Sequence, residues 1–260
     1  ASQFDSAVSW LFAADRLYQL PLGVVGIAVG IVLLPDLSRR LQAGDDAGAK
    51  SAFSRAAEIS LALTIPASIA LIVIPFPIVS VLFERGETGP DDAAAIAVAV
   101  SIYGLGLPAF VIQKFIQPLY FARLDTRSPF RFAVIAMVIN APLAIGLSPV
   151  IGWIAPAIAA TVAGWSMVAL LMIGARSMGD VARFDAQLRK RIWRIVAASI
   201  VMGGCLWAGN VVLSPALGMQ GVRYLALIAL ITFGVVVYFA SGQLFGAFKI
   251  SEFKKAIRRG

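Results

Sequence analysis

The 260-residue sequence contains no histidine and a single cysteine, Cys205. The first absence removes the commonest general base and the commonest metal ligand. The second removes any intrachain disulfide or thiolate cluster, so no redox or zinc reading is available; Cys205 reads as a small core residue. No GxxxxGK[ST] occurs, so no ATP engine of that type lies in the chain. Charge is also scarce, at 14% of residues, where a soluble domain carries about a quarter. No pair of acids sits inside an apolar run, which leaves acid–base and metal-assisted hydrolysis without machinery. An enzyme is not expected, and no cofactor or metal is implied.

What is present is apolar: 60% of residues are hydrophobic, and the mean hydropathy is +0.87. That composition predicts an all-α integral membrane protein. The net charge of +8 does not point to nucleic acid, because in a membrane protein the placement of charges matters more than their sum. The chain opens ASQFDSAVSW, without a basic stretch ahead of an apolar run, so no signal peptide is read there. It reads as the interior of a longer polypeptide.

A hydrocarbon core about 30 Å thick takes roughly 20 apolar residues per helix. Seven such runs are expected, near 7–35, 57–83, 93–121, 129–148, 151–174, 192–213 and 222–246. Basic residues fall on one side of this pattern. Arg39, Arg40, Lys50 and Arg55 follow the first run, Arg123, Arg127 and Arg131 the third. Arg176, Arg183, Arg189, Lys190, Arg191 and Arg194 follow the fifth, and Lys249, Lys254, Lys255, Arg258 and Arg259 end the chain. Only Arg85 and Arg223 fall opposite. The bias predicts an N-terminus outside and a C-terminus in the cytoplasm. Each of the first five runs holds proline, among them Pro21, Pro66, Pro108, Pro118, Pro142 and Pro156, and the last two hold none. Bent helices are tolerated where neighbours or a wet cavity satisfy the freed carbonyls. The expected division is a lobe of bent helices over 1–174, a basic linker over 175–191, a straighter helix pair over 192–248 and a basic tail over 249–260.

Two basic residues lie deep within runs, away from their ends: Arg16 and Lys114. A charge near the bilayer centre costs at least ~2.5–3.5 kcal/mol on insertion scales and marks a cavity or a partner. Arg16 lies about nine residues, or ~14 Å, from the start of its run, which makes snorkelling difficult. It either faces an anion in a cavity or pairs with Asp15 or a segment beyond the chain. Lys114 lies beside Gln113 and Gln117, which share a helix face at i,i+4; the stripe lines a cavity or snorkels to the cytoplasmic end. Gln19 falls one turn beyond Asp15. Asn140, just before Pro142, reads as a cap for freed carbonyls or a cation contact. Gly26 with Gly30, and Ala155, Ala159 and Ala163, are small-xxx-small packing faces. Trp10, Trp153, Trp165 and Trp207 need no cofactor to explain them, and those near run ends read as interfacial anchors.

The stretch ADRLYQLPLGVVGIAVGIVLLPDLSRRL at 14–41 resembles the signature of the MurJ (MviN) family of lipid II flippases, relatives of the multidrug and oligosaccharide-lipid exporters. LFERG at 82–86, the Lys114 run and YFARLDTRSP at 120–129 follow in the family's order. The resemblance implies a fourteen-helix protein of two six-helix lobes and a final pair, with this chain covering the eighth helix onward. It implies transport of lipid-linked peptidoglycan precursor across the bacterial inner membrane by alternating access. Arg16 would then meet the pyrophosphate, with Asp15, Gln19, Lys114, Gln113 and Gln117 around the headgroup. Pro21, Pro108 and Pro118 would shape the cavity, and the last pair would form the groove for the polyprenyl tail. The implied partners are lipid II, the membrane, the missing N-terminal lobe and cell-wall synthesis proteins. Asn140 falls near a region linked to sodium in some relatives, but no acid in the adjacent runs completes such a site. A polysaccharide-lipid flippase, a cationic-drug antiporter and a membrane scaffold for cell-wall enzymes are the competing readings; the antiporter would want cavity acids that are lacking here.

Overall fold

A computed structural model describes residues 6–85, 88–182, 186–219 and 221–247, with side chains at all of these except 27–32, 180, 182 and 186–187. Among them the regular structure is entirely helical. The eight α-helices are α1 (Ala7–Gln42), α2 (Asp46–Val73), α3 (Pro75–Phe83), α4 (Pro90–Phe121), α5 (Arg127–Ile151), α6 (Ala155–Ala175), α7 (Ala186–Leu217) and α8 (Arg223–Leu244). Arg183 and the basic tail at 249–260 lie outside the described residues, as does Gly86 of the LFERG stretch.

Five stretches of the described residues are long and apolar enough to cross a membrane: Asp46–Val73, Pro90–Phe121, Arg127–Gly179, Leu188–Leu217 and Arg223–Leu244. The third holds two helices, α5 and α6, folded back through a turn at 152–154. Gly152 makes that reversal with a φ of 67°, a left-handed conformation that a side chain would disfavour. The run expected over 57–83 is in fact two helices. Ile74, kept out of the helical conformation ahead of Pro75 (φ −124°, ψ 44°), ends α2, and Pro75 opens α3 at the position where its missing N–H costs nothing. Pro156 likewise sits in the first turn of α6 and does not bend it. Pro215 lies inside α7, past the end of the run expected for that helix. Interior prolines therefore occur in α1, α2, α4, α5 and α7.

α4 is the hub. It packs against α1, α2, α3 and α6; α5 lies on α6, and α7 and α8 pair with each other, with α7 against α2. The close approaches rest on small residues, since lipid provides no hydrophobic drive to bring helices together. Ala155, Ala157 and Ala159 are fully buried. Gly164 accommodates the Phe110 ring, and Gly203 accommodates Ile69. Polar ties close each end. At one end Trp10 Nε1 donates to Asp92 Oδ1 at 2.8 Å, Asp92 Oδ2 accepts the Gly89 N–H at 3.0 Å, and Trp10 meets Trp153 edge-on. At the other, Arg191 Nη1 reaches Glu58 Oε1 at 2.5 Å and Oε2 at 2.7 Å, joining α7 to α2. Arg123 Nη2 there donates to the Met178 carbonyl at 3.2 Å.

Phe110 is pinned between α6 and the Tyr18 ring of α1, with ring centroids 5.6 Å apart. A Cβ on Gly164 would sit 2.8 Å from Phe110 Cε1. Gly164→Val is therefore expected to destabilise the fold by roughly 1–3 kcal/mol, read as a lower unfolding midpoint in detergent. An unchanged midpoint would contradict the packing described.

Candidate functional site

α1, like α5, α7 and α8, presents a long uncovered face. Ala14, Leu17, Val25, Leu33 and Leu37 are buried against the bundle, whereas Val8, Phe12, Arg16, Leu20 and Val24 are exposed at i,i+4 spacing. Arg16 stands in the middle of that stripe. Its guanidinium lies 4.8 Å from the centroid of the Phe12 ring one turn earlier, a cation–π contact that offsets part of its cost in apolar surroundings. Among the described residues it has no salt bridge. Asp15, the neighbouring acid, turns elsewhere: it accepts from Gln19 Nε2. Adjacent residues on a helix point about 100° apart, so Asp15 leaves the Arg16 charge unneutralised and open.

Tyr18 carries α1 onto α4. Its ring lies 5.0 Å from Tyr103 and 5.6 Å from Phe110. Nothing in the sequence pairs these aromatics beforehand; the available signal is two tyrosines placed inside otherwise apolar helices. Lys114 is exposed on α4, an otherwise largely buried helix. α1 and α4 run parallel, with Trp10 level with Asp92 and Tyr18 level with Tyr103. Lys114 lies eleven residues beyond Tyr103 and Arg16 two before Tyr18, so the two cations are about 20 Å apart along the axis at 1.5 Å per residue. They do not share one binding point.

The glutamines divide. Gln113 Nε2 donates to the Gly164 carbonyl of α6 at 3.0 Å, which makes it a tie between helices. Gln117 is half-buried, and Gln19 is exposed and bonded to Asp15. Pro21 lies on the α1 stripe's flank, half-buried; Pro108 is half-buried and Pro118 buried within α4. Asn140 is half-buried on α5, where Pro129 and Ala136 are the buried residues. No group of three or more His, Cys, Asp or Glu among the described residues is placed to hold a metal ion. A guanidinium and an ammonium are each able to bind an anion.

At the end of α4 opposite Trp10, the ARLDTRSP segment folds as a turn. Leu124 adopts a φ of 59° and is almost wholly exposed. Asp125 Oδ1 accepts the Ser128 N–H at 3.0 Å, anchoring the start of α5.

The chain matches the family model described as lipid II flippase MurJ over residues 1–230. It is 41% identical, over its whole length, to the probable lipid II flippase MurJ of Rhizobium meliloti (strain 1021), of which it covers 49%. It is 38% identical, again over its whole length, to the probable lipid II flippase MurJ of Rhizobium tropici, covering 49% of that protein. A solved structure of lipid II flippase MurJ in an inward closed conformation superposes with a TM-score of 0.76 at 25% identity, over 93% of this chain and 48% of that one. The chain thus spans about half the length of the relatives it matches.

The Asp125 carboxyl is held below its ordinary value near 3.8, first by a hydrogen bond from the Ser128 side chain and then by the Ser128 backbone N–H. A depressed carboxyl contributes stability above its unfolded value and loses it as pH falls through the lower folded value. Exchange of the Ser128 amide, corrected for its intrinsic pH dependence, is expected to accelerate below about pH 3.8. Asp125→Asn should remove that step; an identical step in the variant would contradict the assignment.

Proposed function

The chain belongs to the lipid II flippase MurJ family, and from that premise we propose that it is one half of a transporter for lipid-linked peptidoglycan precursor. The observation that carries the reading is Arg16: an arginine within an apolar helix, exposed, stacked on Phe12 and free of a salt bridge among the described residues. Such a charge is costly in a bilayer unless it serves a ligand or a pathway. A guanidinium offers two parallel N–H donors, a geometry suited to phosphate oxygens.

The uncovered α1 stripe faces the partner lobe across a cavity, and the other half of the polypeptide supplies that lobe. Seven spans cross the bacterial inner membrane: α1, α2 with α3, α4, α5, α6, α7 and α8. Residues 1–174 form the transport lobe, 175–191 a cytoplasmic linker, 192–248 the pair that receives the polyprenyl tail, and 249–260 a cytoplasmic tail. The starts of α1 and α4 lie at the periplasmic side; Glu58, Arg123 and Arg191 lie towards the cytoplasm. Lys114 is then nearer the cytoplasm and Arg16 nearer the periplasm. Because they stand about 20 Å apart along the axis at 1.5 Å per residue, they meet the pyrophosphate in succession, as the lobes rock about the headgroup. Asp15 orients Gln19 beside Arg16, and no chemical step on the substrate is needed.

The competing scaffold reading makes Arg16 dispensable and the basic segment 176–194 essential. In cells depleted of their own lipid II flippase, the natural polypeptide carrying Arg16→Ala is expected not to support growth. Arg16→Lys keeps the charge but loses the paired donors, and should restore growth partly. Normal growth with Arg16→Ala at normal protein level, with loss on neutralising 176–194, would overturn the transport reading in favour of the scaffold.

A further inference from the structure

Two interior prolines stand opposite hydroxyls from neighbouring helices. A proline at position i lacks the N–H that would bond the carbonyl at i−4. In α2 Pro66 frees the Ala62 carbonyl, and the buried Tyr238 hydroxyl of α8 donates to that oxygen at 2.6 Å. In α4 Pro108 frees the Gly104 carbonyl, and the buried Ser68 hydroxyl of α2 donates to it at 2.6 Å. A third case is local: Ser214 Oγ meets the Val211 carbonyl, four residues before Pro215, at 2.9 Å.

The first two bonds run in series. Tyr238 fixes α8 to the bend in α2. Two residues past Pro66, on the same α2, Ser68 fixes the bend in α4. There the contact is close: a Cβ on Gly104 would sit 3.2 Å from Leu71 and Ile72. α6 grips the same bend from the other side, with Thr161 Oγ1 donating to the Ile102 carbonyl at 3.0 Å and Trp165 Nε1 to the Leu105 carbonyl at 3.1 Å. Lys114 follows six residues beyond Pro108. In a medium without water the freed carbonyls have no other partner, so the hydroxyl that meets each one sets where the bend is stable.

We propose that the Tyr238 and Ser68 hydroxyls are positioning residues, each replacing the hydrogen bond that a proline removes from the adjacent helix. Together they couple the terminal α7–α8 pair to the bend in α4 that carries Lys114. Their role in transport rests on the flippase reading above. Movement of α8 relative to α2 is transmitted to α4 through these two bonds, so occupancy of the terminal pair by a lipid tail biases the cavity helix.

The test is a set of matched and crossed double-substitution cycles in the natural polypeptide. Matched pairs are Tyr238→Phe with Pro66→Ala, and Ser68→Ala with Pro108→Ala. Crossed pairs exchange the prolines. Restoring an N–H at position 66 or 108 supplies the missing bond, so the hydroxyl loses its task only in the matched background. Each hydroxyl deletion alone should raise the unfolding equilibrium constant about tenfold. It should raise it less than about twofold beside its matched alanine, with crossed pairs additive. In vesicles, the initial rate of lipid II movement per mole of folded protein should also fall about tenfold for each single variant.

Additive matched cycles would overturn the proposal, since the hydroxyls would then not act through the prolines. Coupled stability with unchanged transport per folded protein would overturn the positioning role and leave the bonds as structural. If the unsubstituted polypeptide moves no lipid II, the flippase reading and the positioning role fall together. The unfolding cycles still decide on their own whether the hydroxyls act through the prolines.

Discussion

Every backbone N–H and C=O that enters lipid must find its partner inside the protein, and the rest of this structure follows from that demand. It explains why the regular structure of the described residues is entirely helical. It also explains why the side chains that reach across helices so often end on carbonyl oxygens. Tyr120 donates to Leu171, Gln113 to Gly164, Tyr238 to Ala62 and Ser68 to Gly104. Packing by small residues then determines how closely the helices lie, as Gly164 does for Phe110 and Gly203 for Ile69. At Pro66 and Pro108 a hydroxyl from a neighbouring helix makes good the hydrogen bond that the proline removes.

Charge is distributed by the same logic. Carboxylates have partners at hand: Asp92 in the first turn of α4 with Trp10 and Gly89, Glu58 within α2 with Arg191, Asp125 ahead of α5 with Ser128. Arg16 departs from the pattern, as does Lys114, because each is exposed within a span-length helix and lacks a carboxylate partner among the described residues. In the transport we propose, both residues have a purpose, and their separation along the helix axes makes of them two successive contacts.

Much of this is legible in the sequence, because hydropathy and charge are local properties. The membrane class, the long helices and the isolation of Arg16 and Lys114 follow directly from the order of residues. The ADRL and RLDTRSP stretches resemble the family that the comparisons then identified. What the order of residues hides is pairing at a distance. Trp10 and Asp92 are 82 positions apart, and Glu58 and Arg191 are 133 apart. An i,i+4 pattern placed Gln113 on one stripe with Gln117, yet only the packed structure shows Gln113 spent on α6. The break at Ile74 was invisible to hydropathy because the residues on both sides are equally apolar. It rests on two prolines, Pro75 through the conformation it imposes on the residue before it and Pro77 through the N–H it lacks.

The central claim is that this chain is half of a transporter in which Arg16 engages the pyrophosphate of a lipid-linked precursor. A native mass spectrum of the natural polypeptide, released gently from its membrane, tests it most directly. The account predicts a chain about twice this length, in keeping with the 49% coverage of its relatives, carrying one adduct of lipid II mass that Arg16→Ala loses. A chain of 260 residues without lipid, or an adduct retained equally by the variant, would contradict it.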